Sequence, residues 1–157
     1  MAKLQIRIDG DPILRKKSRK VETIDEDLRR LVDDMYETMY EAQGVGLAAV
    51  QIGKLKQLIV LDDYEGTKMV LINPERVAEE GSSEALEGCL SVPGMAGQVT
   101  RPNYVKVKAM DEEMNEVIYE GTELLARAFC HEIDHLDGKM YTDLVEGELH
   151  RTSYEED

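Results

Sequence analysis

His131-Glu132-Ile133-Asp134-His135 is the segment of this chain best equipped for chemistry. Two histidines four residues apart share one face of a helix, about one turn from each other, so both imidazoles can reach one metal ion. Glu132 follows the first of them and projects beside such an ion, not onto it. From there a carboxylate can take a proton from water and hand it to a leaving amine. A catalytic ion ordinarily has three protein ligands and keeps one position for water, so two histidines leave the set one short. His150 lies in a polar C-terminal stretch and is a weak third ligand. Many carboxylates exist, and spacing singles out none of them. Cys89 sits in Glu87-Gly88-Cys89-Leu90-Ser91-Val92-Pro93-Gly94, where flanking glycines permit tight backbone turns. Its thiolate could complete a Cys-His-His set, although for a cysteine taken alone an inert packed thiol is the ordinary reading.

The elements that must position these residues read as follows. Thr23 and Glu26 have capping-box spacing, and Asp25, Glu26 and Asp27 put negative charge where a helix N-terminus favours it. Leu28, Leu31, Val32, Met35 and Met39 then recur at helical spacing, with Gly44 as terminator beyond Gln43. The methionine stripe reads as core. Gln57 to Leu61, Met69 to Ile72, Arg76 to Glu80 and Tyr104 to Met110 read as strands, with Pro74 ending one of them at a turn. The polar stretch Asp111 to Asn115 suggests a hairpin into a strand ending near Tyr119. A second long helix spans about Thr122 to Leu136, capped by Thr122 and stopped by Gly138. Leu124, Leu125, Ala128, Phe129 and Ile133 are available for its buried side. The fold class is α+β: antiparallel β-sheets surround a central helix bearing the H-E-x-x-H motif, and an N-terminal helix packs outside. Residues 146–157 read as a polar tail or a short helix.

Composition bounds the functions open to these elements. The chain has 157 residues, which suits one catalytic domain over 1–157 that needs no metal merely to fold. Lys plus Arg number 19 against 33 Asp plus Glu, a formal net charge of -14. That balance argues against nucleic acid as substrate and against an anionic membrane as partner. No segment has signal-peptide character or approaches a membrane span, which predicts a cytoplasmic protein with Cys89 and Cys130 as free thiols. The basic run Arg15 to Lys20 reads as a solvated arm.

Three segments together resemble the signature motifs of the peptide deformylases: Gly44-Val45-Gly46-Leu47-Ala48-Ala49-Val50-Gln51, Glu87-Gly88-Cys89-Leu90-Ser91 and His131-Glu132-Ile133-Asp134-His135. They stand in that family's order and at similar spacing, and the resemblance runs from Asp11-Pro12-Ile13-Leu14 to Leu144. It implies hydrolysis of the N-formyl group from the formylmethionine of nascent polypeptides, with release of formate. It implies Cys89, His131 and His135 as metal ligands, metal-bound water or hydroxide as nucleophile, and Glu132 as general base and then acid. The Gln51 side chain and the Leu90 backbone N–H match the oxyanion donors. Val45, Gly46, Glu87 and Leu124 match substrate-binding positions, with backbone near Val45 and Gly46 aligning an extended peptide. Glu87 would pair with Arg101 and brace the cysteine loop. The implied ion is Fe2+ in the cell; Zn2+, Ni2+ and Co2+ are compatible with the same donors. One position departs from many relatives, which carry Gln where this chain has Cys130. Beside His131 on the helix, that side chain points away from the metal face as a packed thiol.

Two other readings compete. A small zincin-type endopeptidase would take its third ligand downstream, where His150 is available, but Gln51 and the Cys89 segment would then have no role. A structural metal or interaction module would leave Glu132 idle. For partners, the resemblance implies formylmethionyl nascent peptides. It leaves transient ribosome contact through Arg15 to Lys20 open beside free diffusion, which the acidic charge favours.

Overall fold

The computed structural model describes residues 4–151. Eight strands and two helices follow in the order α1 (Glu26–Glu41), β1 (Gly46–Ala48), β2 (Leu58–Asp62), β3 (Lys68–Glu80), β4 (Ser83–Cys89), β5 (Val92–Arg101), β6 (Tyr104–Met110), β7 (Glu116–Thr122), α2 (Glu123–Leu136) and β8 (Glu146–Arg151). Five strands form an antiparallel sheet in the order β1-β2-β3-β6-β7, and three form a second in the order β4-β5-β8. This is an α+β fold, with α2 carrying the H-E-x-x-H motif between the sheets and α1 outside.

Side-chain alternation in β2 explains how the larger sheet serves two cores at once. Ile59 and Leu61 face α2 and meet Phe129, Ala126 and Cys130, together with Leu71, Val105 and Val107. Leu58 and Val60 face the other way, onto Met35, Met39, Leu28 and Val32 of α1. A strand covered on both faces must be apolar at every position, which is why this segment reads as an unbroken apolar run. Met35 and Met39 are fully buried, so the methionine stripe is core.

Several local expectations need correction. The N-cap of α1 is Asp25, whose carboxylate accepts from Leu28 N at 3.0 Å, not Thr23. Upstream, Asn73 exchanges two hydrogen bonds with the Val21 backbone and holds the approach to the helix extended. The stop of α1 is set by Gln43, at φ 61, and not by Gly44. Gly44 N bonds Met39 O and Gln43 N bonds Tyr40 O, a Schellman ending with glutamine in the left-handed position. Gly44 instead packs closely on Leu90, whose Cδ1 would lie 2.7 Å from an added Cβ and would have to turn aside.

Pro74 does not end a strand. The two expected strands are one, β3, and the register shifts between Ile72 and Glu75, so the missing N–H of Pro74 falls in a bulge. The polar stretch after Met110 is a hairpin turn, with Asp111 Oδ1 accepting from Glu113 N and Asn115 N. Neither β4 nor β5 was foreseen, because their glycines and acidic residues hide the alternation. The stretch from 146 is a strand to Arg151, neither tail nor helix; Leu149 anchors it on the small cluster of Leu14, Val92, Val99, Met140 and Tyr141. Residues 152–157 lie outside the described residues. α2 begins after Thr122 and ends before Gly138, at φ 76, as its sequence suggests, although Thr122 makes no side-chain cap bond. Of its expected buried side, Leu124 is 63% exposed.

Candidate metal centre and catalytic cleft

The potential ligands come from two elements. Cys89 is the last residue of β4, where the hairpin into β5 turns, and His131 and His135 lie on the inner face of α2. Their donor atoms all lie within 4.8 Å of one another, and Cys89 Sγ is 3.3 Å from His135 Nε2. Bonds of 2.0–2.3 Å around a tetrahedral ion place donors roughly 3.4–3.6 Å apart, so this set fits a small divalent cation. His131 Nδ1 is engaged by Glu87 Oε1 at 2.9 Å, which leaves Nε2 as its free donor. His150 is elsewhere, on β8 and paired with Ala96 of β5, and is not part of this group.

Glu87 is the centre of a buried charge network. Its carboxylate accepts from Arg101 Nε and Nη2 at 2.8 and 2.9 Å, from Arg127 Nη1 at 2.8 Å, and faces His131 Nδ1. Arg101 Nη1 reaches Asp134 Oδ2 at 2.7 Å. The Arg101 brace is therefore present. Glu87, which also lines the cleft, has both carboxylate oxygens engaged within the protein. Burial alone would raise the Glu87 pKa, but hydrogen bonds from Arg101 and His131 outweigh it and hold the carboxyl well below the usual range. Burial would lower His131, and hydrogen bonds with Cys89 and Glu87 reverse this and raise it well above the ordinary value. His135 moves down, through burial and then the neighbouring His131 charge.

Glu132 faces the same cleft. Its Oε1 is buried with no hydrogen-bond partner, and burial pushes its carboxyl up to about 7, with His131 opposing and Glu87 adding to the rise. A carboxyl with that pKa is poised to take and return a proton near neutrality. It packs against Gly46, where an added Cβ would stand 2.8 Å from Glu132 Oε2 and 2.6 Å from Leu61 Cδ2.

Gln51, 1% exposed, lies on the 3₁₀ turn Ala49–Ile52. Its Oε1 accepts from Ala48 N at 2.9 Å, and its Nε2 donates to Ser91 Oγ at 3.0 Å and points at Cys89 Sγ, 3.6 Å away. The amide is thus fixed with its N–H groups toward the cysteine. Leu90 sits at the tip of the β4–β5 hairpin. A cleft of about 630 Å³ collects Val45, Gly46, Gln51, Cys89, Leu90, His131 and Glu132, with Leu86 and Leu124 exposed on its lining. His135 lies behind it, fully buried.

Three neighbours of the site escaped the sequence reading. Arg127, Asp134 and Ser91 are all buried, and each bonds a residue of the site or its brace. A signal existed for Arg127, which stands four residues before His131 on the helix face that must be covered. Cys130 is fully buried, with Arg76 Nη1 3.0 Å from its sulfur, and burial raises its pKa despite that arginine.

Residues 3–150 match the family model described as polypeptide deformylase. The chain belongs to that family. A peptide deformylase of Agathobacter rectalis is 56% identical over 156 residues, 99% of this chain and 98% of that protein. Crystal structures of peptide deformylases agree in shape. The Legionella pneumophila structure has a TM-score of 0.90 at 44% identity, over 92% of this chain and 87% of that one. The Synechococcus elongatus structure, a complex with actinonin, has a TM-score of 0.90 at 42% identity, over 94% and 82%. Membership in the peptide deformylases makes this chain a hydrolase and a metalloenzyme.

Proposed function

We propose that the chain, acting as one catalytic domain, removes the N-formyl group from the formylmethionine of nascent polypeptides and releases formate. The observation that carries this reading is the convergence of Cys89, His131 and His135 at the base of a cleft where Glu132 offers an unpartnered carboxylate oxygen. Those three side chains would hold a divalent ion, Fe2+ in the cell, and Zn2+, Ni2+ or Co2+ suits the same donors. Such an ion, when bound, supplies a water of lowered pKa.

The remaining steps belong to the chain. Glu132 takes the proton as water oxygen adds to the formyl carbon. The oxygen that gains charge is met by the Gln51 amide and the Leu90 N–H, and one such donor is typically worth about 3 kcal/mol. When the C–N bond breaks, Glu132 returns the proton to the amine, leaving formate and a free N-terminus. The unpaired edge of β1 at Gly46 offers backbone groups to an extended peptide, and the facing edge of β4 borders the same cleft. Val45 contributes to the apolar wall, and Leu124 forms the rim.

Among the described residues no helix is long and apolar enough to cross a membrane, and we place the activity in the cytoplasm. Encounter with the nascent chain proceeds by diffusion, with transient ribosome contact as the alternative. The test is anaerobic release of formate from formyl-Met-Ala-Ser, beside acetylated and unblocked controls, by protein reconstituted with Fe2+ or Ni2+. Glu132→Ala should retain the ion and lose formate release; brisk hydrolysis by that variant removes Glu132 from the mechanism.

A further inference from the structure

We propose that Arg127 is a positioning residue of the metal centre, holding the strand that carries Cys89 in register with the helix that carries the two histidines. The proposal rests on the Cys89, His131, His135 ligand set. Those ligands come from two elements, so some contact between β4 and α2 must fix their separation. Arg127 is placed to do so. It lies four residues before His131 and eight before His135, on one stripe of α2. Its guanidinium leaves the helix and reaches three acceptors on the smaller sheet: Glu87 Oε2 at 2.8 Å, Ser83 O at 2.7 Å and Val99 O at 2.9 Å. Two of these are on β4, two and six residues before Cys89, and the third is on β5.

The chemistry of the acceptors explains why an arginine is needed. A planar fork can serve separated acceptors in fixed directions, whereas a lysine offers a single point of charge. Arg127 is 6% exposed, so its loss would leave the carbonyls of Ser83 and Val99 without this donor inside the protein. It also balances charge. Arg101 and Arg127 face Glu87 and Asp134, two cations against two anions, in a network whose fifth member is His131. Arg101 sits on β5 and grips the Glu87 carboxylate with two nitrogens, so it fixes the plane of that carboxylate. Arg127 adds a second tie from α2 to that carboxylate, beside the one from His131. Without Arg127, α2 keeps the His131–Glu87 and Asp134–Arg101 contacts with the smaller sheet, but loses its hold on Glu87 Oε2 and on the Ser83 and Val99 carbonyls, three contacts that fix its distance from β4 and β5.

The test compares Arg127→Met, which keeps much of the side-chain volume, and Arg127→Lys, which keeps the charge, with the unmodified chain and Cys89→Ala. Co2+ retention is measured anaerobically by competition with a chromophoric chelator, and the visible bands of bound Co2+ report donor geometry. Arg127→Met should hold Co2+ roughly 10- to 100-fold more weakly, with altered band intensities, and Arg127→Lys should fall between. Formate release per bound ion should fall less than retention does. Wild-type retention and an unchanged spectrum in folded Arg127→Met overturn the proposal. Should circular dichroism show that Arg127→Met does not fold, Arg127→Lys decides: weakened retention supports the proposal and wild-type retention overturns it. Cys89→Ala separates the two layers of argument. If it loses the ion while Arg127→Met keeps it, the positioning role alone fails. If Cys89→Ala binds Co2+ as tightly as the unmodified chain, the ligand set itself is wrong.

Discussion

The two sheets of this molecule are held to the same helix by opposite means. Against the larger sheet, α2 is secured by apolar burial: Phe129, Ala126 and Cys130 meet Ile59, Leu61, Leu71, Val105 and Val107, and all of them are fully buried. Toward the smaller sheet it is secured by ions, with Glu87, Arg101, Arg127 and Asp134 each under a tenth exposed. The apolar cluster on that side has five buried residues. Apolar packing is non-directional and tolerates small shifts, whereas hydrogen-bonded charge fixes angles. The side that sets Cys89 against His131 and His135 is the side built from charge.

Breaking each attachment should therefore give different phenotypes. The largest effect falls on Glu87→Ala, which removes the carboxylate shared by two buried arginines and should cost about 3–5 kcal/mol in denaturant unfolding while abolishing metal retention. Phe129→Ala should cost a similar 3–5 kcal/mol, yet the folded fraction should keep its ion, because the charged network is untouched. If both variants lose metal equally per folded molecule, the two attachments are not distinct.

Acid should attack one side selectively. The Glu87 pKa is depressed on folding, so its contribution to stability is present above the ordinary carboxylate range and is lost as pH falls through and below that range. Thermal unfolding from pH 7 to pH 3 should show a decline that Glu87→Gln flattens. A decline of equal slope in that variant would place the acid sensitivity elsewhere.

A smaller effect is expected where the apolar side touches the cleft. Gly46→Ala forces a Cβ against Leu61 and Glu132, which should cost about 1–3 kcal/mol and lower kcat by displacing the carboxylate. An unchanged kcat would show that Glu132 has room to spare. Smallest is Leu124→Ala on the rim, 63% exposed, with stability expected within about 0.5 kcal/mol and any change confined to KM.

The same contrast explains what could be read in advance. Apolar attachment leaves periodicity in the sequence: the α1 stripe from Leu28 to Met39 and the run from Leu58 to Leu61 declare their elements before any coordinates. Strands β4, β5 and β8 carry glycine, glutamate and single apolar residues, and what makes them strands is pairing with one another. That pairing is non-local, so no window of sequence displays it. The ligand candidates were legible because chemistry demands particular residue types at helical spacing. The brace around them was half legible. Arg101 was foreseen as a partner of Glu87; Arg127 was not, because an arginine on a helix face reads as solvated until its acceptors are located.

Strands β1 and β4 are the outer members of their sheets, and both border the cleft. An unpaired strand edge is a template for any other extended chain, including a second copy of the same protein. If the proposed peptide seat is right, the hazard and the receptor for substrate are one surface. A peptide seated between the two edges would hide both at once, so occupancy should slow clumping of concentrated protein as well as report on binding.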